Sequence, residues 1–301
     1  MKTLFHYCST ASFRAIIETK TLWFSSLSLS NDSSEGRLVA ETIDRLAKKD
    51  SLDEFDLARV QRVINLYEQI LDGLGFCMSE NGDLLSQWRG YAADGTGVSI
   101  GFSSEYLNWL AEQAVNGCRF GLRQVIYDPV THEGIVKASY EEAVRYVRSE
   151  EGNSIFKVTG TVDAKTRKMN AEDMLRKIAS EHVPKMVEFT EQAHSRLFKM
   201  MLPLCTKLFN LKSCDFYEER EWRLLSFFQR DGEDECDHRA SHDRIIPYRE
   251  FNLAELNRRP ITEVILGPGH STPPNVIQNF LKLNDFGDVP VKRSVISYRP
   301  K

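Results

Sequence analysis

Between Glu218 and Arg223 the chain reads Glu-Glu-Arg-Glu-Trp-Arg, three carboxylates and two guanidiniums at the head of a strongly apolar segment. The two-residue period of a strand sets Glu219, Glu221 and Arg223 on one face, with Arg220 and Trp222 on the other. Acidic residues are poor strand formers, so two of them aimed the same way beside an arginine need either solvent or a task. In solvent they would form an exposed ladder whose Glu-Arg pairs contribute roughly 0.2–1 kcal/mol each. A task would use their fixed negative charge where a reaction develops positive charge.

Two further groups of residues carry chemistry. His6 and Tyr7 close an apolar segment and are followed by Cys8, Ser9 and Thr10 at the start of a helical pattern. That places them at the carboxyl end of a strand, beside free backbone N–H groups, where α/β proteins commonly bind ligands. The bland alternative is a hydrogen-bonded structural histidine. The segment Ser86-Gln87-Trp88-Arg89-Gly90-Tyr91-Ala92 offers the flat faces of Trp88 and Tyr91 for stacking and Arg89 for a phosphate. It equally suits a helical turn whose aromatics fill the core while Arg89 pairs with an acid.

Other motifs are weaker. Cys236, Asp237, His238 and His242 have zinc-type donors but lack a second ligand pair at a structural spacing. Gly267-Pro268-Gly269-His270-Ser271 is a Gly-rich turn without the Lys-Ser or Lys-Thr ending of a phosphate loop. Ser30, Asn31, Asp32 and Glu35 read as helix-capping residues. No acid followed two residues later by lysine comes after the strand that a restriction-type nuclease core needs, although Lys212 is not far in sequence.

The elements that must position these groups follow from the apolar pattern. Leu4–Tyr7 and Leu22–Ser25 are predicted strands around a helix over Ala11–Thr19, and two helices occupy Gly36–Leu71 with a break near Asp50 and Ser51. Gly73–Ser79, Gly97–Phe102 and about Arg123–Tyr127 are predicted strands before a charged, helix-rich middle. After it, Arg220–Phe228, Ile245–Tyr248, Val264–Leu266 and Val289–Ile296 are predicted strands, with a helix over Pro274–Leu283. The expected fold is α+β (mixed α/β). One mixed sheet is built from both ends of the chain, with packed helices and a helical insertion or cap at about 132–209, all in one domain spanning 1–301.

The 301 residues, 42% hydrophobic and 27% charged, suffice for one substantial core. No apolar run approaches the roughly 20 residues of a membrane span, and the start lacks a signal-peptide pattern, so a cytoplasmic protein with no membrane partner is expected. Six dispersed cysteines read as reduced structural thiols. A net charge of −4 gives no global attraction to nucleic acid.

Leu22–Ser26 (LWFSS), Ser30–Gly36 (SNDSSEG), Ser86–Ala92 (SQWRGYA), Gly97–Phe102 (GVSIGF) and Glu218–Leu225 (EEREWRLL) together resemble an uncharacterised bacterial family, domain of unknown function 2971. The likeness runs from the first strand to about Leu266, with the helical middle least matched. More distantly, the chain resembles ADP-ribosyltransferase-like proteins. Those begin with a strand ending in His or Arg that binds the NAD ribose, then a helix and a strand, and carry a catalytic Glu on a later strand. His6 with the following helix matches the opening, and Glu219-x-Glu221 matches the later motif of a different branch. The resemblance implies an NAD-dependent ADP-ribosyltransferase or NAD glycohydrolase, a toxin or phage-defence effector, with NAD as substrate, a macromolecular acceptor or water, and no metal. It makes Glu221 the stabiliser of the ribose cation and Glu219 the residue orienting the nucleophile. His6 and Tyr7 would sit at the nucleotide, Arg89 or Arg223 on the pyrophosphate, and Trp88 or Tyr91 against nicotinamide. Two other readings stand beside it: a nucleotide-sensing or protein-binding module without turnover, and a metal-dependent nuclease using Glu219, Glu221 and Asp32.

Overall fold

The computed structural model describes residues 2–30, 36–113, 120–149, 196–230, 236–241 and 243–299. The chain divides into two compact units: residues 1–36, 71–127 and 209–301 form one, and residues 37–70 with 128–208 form the other. The first unit carries the sheet, and the second is collected from two stretches of the chain.

The first unit holds a ten-stranded mixed sheet drawn from both ends of the chain. Its strands are β1 (Thr3–Cys8), β2 (Thr21–Ser26), β3 (Leu71–Ser79), β4 (Val98–Ser103) and β5 (Gly121–Gln124), then β6 (Glu221–Gln229), β7 (Asp237–Ser241), β8 (Arg244–Asn252), β9 (Ile261–Leu266) and β10 (Val291–Arg293). The order runs β10-β9-β4-β1-β3-β2-β8-β7, with β6 on β3 and β5 on β6. β9 and β10 pair in parallel, and the other registered strand pairs are antiparallel.

The strand β3 is where this sheet branches. One edge pairs with β6 along its whole length, from Leu71 opposite Gln229 to Ser79 opposite Glu221. The other edge is shared: Leu74 and Gly75 pair with β2, and Ser79 pairs with Phe5 of β1. Phe76, Cys77 and Met78 therefore have no strand partner on that edge, and β1 and β2 part there.

Helix α1 (Thr10–Thr19) buries Phe13, Ile16 and Ile17 on one stripe, each worth roughly 1.5–3 kcal/mol. Ser9 accepts from the Ser12 N–H at its start, and Lys20 in the left-handed region, φ 57°, ends it. Phe24, Phe76, Phe102, Phe120 and Phe251 pack ring on ring in the core between sheet and helices. Gly97 is required by a close approach, since a Cβ there would lie 2.2 Å from the Cys8 carbonyl. The remaining helices of the sheet unit are Leu85–Tyr91, Ser104–Glu112 and Pro274–Leu283.

In the second unit α2 (Leu38–Lys49), α3 (Glu54–Ile70) and the long helix Pro129–Arg148 pack together with a helical segment at 196–205. Lys49 bridges to Glu133, Arg59 donates to the Val147 carbonyl, and Tyr67 donates to the Phe198 carbonyl. The break between α2 and α3 falls at Asp50 and Ser51 as the pattern predicts, with Ser51 at φ 49°. Among the described residues no helix is long and apolar enough to cross a membrane.

Several boundaries differ from the sequence reading. β5 lies at Gly121–Gln124, earlier than Arg123–Tyr127; β10 is shorter than Val289–Ile296; and β7 and the helix Ser104–Glu112 were not anticipated. β7 has only polar and small residues, so hydrophobic alternation gives no sign of it. Asn31, Asp32, Glu35, Cys118, His242 and the polar breaks near Gly152 and Gly160 lie outside the described residues.

Candidate functional site

The site begins with the turn ahead of β6. Residues 210–212 run beside Ile126: Ile126 N–H donates to the Asn210 carbonyl and Lys212 N–H to the Ile126 carbonyl. Ser213 then caps a 3₁₀ turn over Cys214–Glu219. Arg220 closes that turn in the left-handed region at φ 42°, an uncommon conformation for a residue with a side chain. β6 starts only at Glu221, so strand alternation reaches Glu221 and Arg223 but not Glu219. Glu219 joins its neighbours through the reversal at Arg220, a different cause from the one the strand period suggests.

The result is a buried quartet. Lys212 Nζ donates to Glu219 Oε2 at 2.6 Å and to Glu221 Oε2 at 2.9 Å. Arg223 grips Glu221 with two bonds, Nε to Oε1 at 2.7 Å and Nη2 to Oε2 at 3.0 Å, and sends Nη1 to the Phe209 carbonyl at 2.8 Å. All four residues are buried. Two acids and two bases cancel in charge, which is what allows them to leave water. Burial pushes the Glu221 carboxyl up, but Arg223 and Lys212 outweigh it and hold the group down at about 2. Burial likewise works against the charged Lys212, and the two carboxylates more than compensate, raising its pKa.

The backbone of this turn is also held. Glu221 N–H donates to Tyr127 Oη at 2.9 Å, and Ser79 Oγ donates to the Glu219 carbonyl at 2.7 Å. Glu219 keeps one oxygen less committed: Oε1 accepts from the Tyr91 hydroxyl at 3.1 Å and, among the described residues, has no cation on it.

Across the fork between β1 and β2 stands His6. Its Nδ1 is 2.8 Å from the Cys77 carbonyl, which is the group left without a strand partner, and its ring stacks on Phe76. Burial lowers its pKa to about 4, against the raising effect of that bond. The ring is therefore neutral near pH 7. A carbonyl can only accept, so Nδ1 carries the proton and Nε2 is left as an acceptor.

His6, Lys212, Glu219, Glu221 and Arg223 line one pocket of about 110 Å³, with Gln87 and Tyr91 on the wall from the helix Leu85–Tyr91. Phe5, Tyr7, Leu27 and Met78 supply apolar wall. For scale, a dry cavity of about 150 Å³ takes one benzene. This pocket is smaller than that, so it takes in part of one ring and not a dinucleotide. Everything around it belongs to the sheet unit.

The helix Leu85–Tyr91 sorts the residues expected from it. Gln87 and Tyr91, four apart, share the face toward the pocket. Trp88 is fully buried against Tyr7 and Ala92, with Nε1 bonded to Asp83 at 2.6 Å, so neither of its faces is open to a ligand. Arg89 is exposed, 3.9 Å from Asp94, and does not line the pocket. Tyr7 lines it but spends its hydroxyl on the Asn81 carbonyl and the Leu84 N–H. Arg223 lines it with its guanidinium already bonded to Glu221 and Phe209, which leaves it ill placed for a pyrophosphate.

Sequence reasoning singled out the segment that holds Gln87 but gave that residue no role, and it weighed Lys212 only as a remote nuclease lysine. Gln87 had a signal available, since it lies one helical turn before Tyr91. Lys212 had none, because an irregular turn brings it to the glutamates. The Gly-rich turn at 267–270 is bonded to Gly95 and Gly97 and stands apart from this pocket. Among the described residues, no group of three or more His, Cys, Asp or Glu is arranged to hold a metal ion.

Residues 87–224 match the family model described as Protein of unknown function (DUF2971). Over this stretch, a little under half of its length, the chain is similar to the DUF2971 family. The matched stretch carries Gln87, Tyr91, Lys212 and both glutamates, and it includes the helical middle whose resemblance had looked weakest. It is shorter than the stretch from the first strand to Leu266 that the motifs suggested, and it leaves His6 outside. No curated protein and no solved structure matches the chain.

Proposed function

We propose that this protein binds the nicotinamide–ribose end of NAD in the pocket and cleaves the bond between them, as an ADP-ribosyltransferase-like enzyme or NAD glycohydrolase. The observation that supports this most is that His6, from the first strand, and Glu219, from the turn before β6, line the same small pocket.

In the reaction the C1′–N bond breaks with its electron pair going to the nicotinamide ring, which leaves neutral. The ribose carbon gains positive character, which a fixed carboxylate stabilises. An acceptor nucleophile, water in the hydrolytic case, then bonds to that carbon and loses a proton. Glu219 suits the stabilising role better than Glu221, because its Oε1 faces only a neutral hydroxyl whereas Glu221 has a cation on each oxygen. Glu221 then acts as the anchor that orders Lys212 and Arg223. His6 Nε2 accepts from a ribose hydroxyl or the ligand amide.

Incubating purified protein with NAD, with and without cell lysate, and following free nicotinamide by chromatography tests this. Release by the wild type and loss of about 10²–10³ in rate in Glu219→Gln is the expected result. Release only with lysate points to a macromolecular acceptor.

The neutrality of the quartet favours one other reading, a pocket that binds a nucleotide without turning it over, because a paired carboxylate exerts a weaker field on the ribose. Saturable NAD binding by calorimetry with no nicotinamide released would support that reading over the first.

A further inference from the structure

Gln87 is 7% exposed and lines the pocket; its side-chain amide makes no hydrogen bond to another described residue, and its polar atoms are open to the pocket rather than fully buried. An amide that opens only into a confined pocket is satisfied there by water, and a ligand that displaces the water has to match its donor and its acceptor. Its surroundings offer little protein help. Trp88 turns its indole N–H to Asp83, and Tyr91 gives its hydroxyl to Glu219. Phe5, Leu27 and Met78 contribute apolar wall. His6, on the same pocket, presents a bare acceptor nitrogen because Nδ1 is taken by Cys77.

An amide supplies one donor edge and one acceptor edge in a plane. The complementary ligand group has the same two edges reversed: a primary carboxamide. A small pocket with apolar walls, an amide open to it and a neutral acceptor therefore fits the carboxamide-bearing edge of a flat heteroaromatic ring, the carboxamide oxygen taking the Gln87 NH₂ and its NH₂ facing the Gln87 oxygen. The corresponding carboxylic acid has no donor for that oxygen and adds a negative charge beside the carboxylates of Glu219 and Glu221. Buried recognition of this kind rejects the analogue lacking the donor, because the protein group is then left unpaired.

We infer that Gln87 is the specificity residue of this pocket, selecting a ring carboxamide over the ring carboxylate. The choice of the nicotinamide ring as the carboxamide rests on the proposed NAD reading; the preference for amide over acid does not.

The test uses the full chain and two probes, nicotinamide and nicotinic acid, titrated by ligand-observed NMR, with NAD and its acid analogue compared in the release assay. The expected result is nicotinamide binding at least about tenfold tighter than nicotinic acid, with the preference gone in Gln87→Leu at an unchanged melting temperature. Gln87→Asn, which keeps the amide but shortens its reach, covers the case of a leucine variant that fails to fold and is expected to weaken nicotinamide by a similar factor. Equal binding of the two probes, binding of neither, or an undiminished preference in folded Gln87 variants overturns the inference. Amide-selective binding without NAD cleavage leaves it standing and overturns the enzymatic reading alone. NAD cleavage with no discrimination against the acid analogue does the reverse.

Discussion

His6 reaches across the fork in the sheet to the Cys77 carbonyl, 2.8 Å from its Nδ1, and so fills the bond that β3 makes with no strand at that point. The ring is structural on one nitrogen and open on the other, which is how a single residue can both close the sheet and face the pocket.

That arrangement sets a pH dependence. The folded pKa of His6 is lowered to about 4 by burial, below the unfolded value near 6.5. Between these values the unfolded chain binds the proton and the folded one does not, so stability falls as pH drops from about 6.5 to about 4. Glu221, lowered to about 2, adds a second loss between its unfolded value near 4.5 and about 2. Urea midpoints measured across pH should decline through both windows, with His6→Asn flattening the upper one and leaving the lower. A midpoint that rises on acidification would contradict the neutral assignment of His6.

The two glutamates separate by what each variant loses. Glu221→Gln leaves Lys212 and Arg223 buried with one carboxylate between them and should cost about 3–5 kcal/mol in chemical denaturation. Glu219→Gln keeps Arg223 paired and should cost less while removing most nicotinamide release. Equal destabilisation by both variants would mean that the quartet is not anchored on Glu221.

Tyr91 and Arg89 lie on the same short helix with different faces, one toward Glu219 and one toward Asp94. Tyr91→Phe removes the hydroxyl on Glu219 Oε1 and should lower ligand affinity or turnover several-fold. Arg89→Ala should change neither, and should leave stability within about 0.5 kcal/mol. A large effect of Arg89→Ala on NAD binding would bring that side chain into the site after all.

Gly97→Ala places a methyl group against the Cys8 and Ala92 carbonyls, which are main-chain atoms of β1 and of the segment after the pocket helix. Neither can yield as a flexible side chain would. Thermal unfolding should show a loss of about 1–3 kcal/mol or more, accompanied by weaker ligand binding because β1 carries His6.

Much of the frame was legible in the chain. The helical spacing of Phe13, Ile16 and Ile17, the apolar runs of β3, β4 and β6, and the placement of strands on both sides of a helical middle follow from periodicity, because burial of one face repeats along a regular element. The interest of His6 and of the two glutamates was likewise visible, since a strand end and acidic residues on an apolar strand are local anomalies. Their convergence was decided only by tertiary structure. The branching of β3 depends on which strands pair with it, the meeting of Lys212 with Glu219 on a left-handed turn at Arg220, and the place of Gln87 on the pocket wall on the orientation of one short helix. Each of these is a long-range or irregular arrangement, and no repeat in the sequence encodes where a side chain will find an unpaired partner.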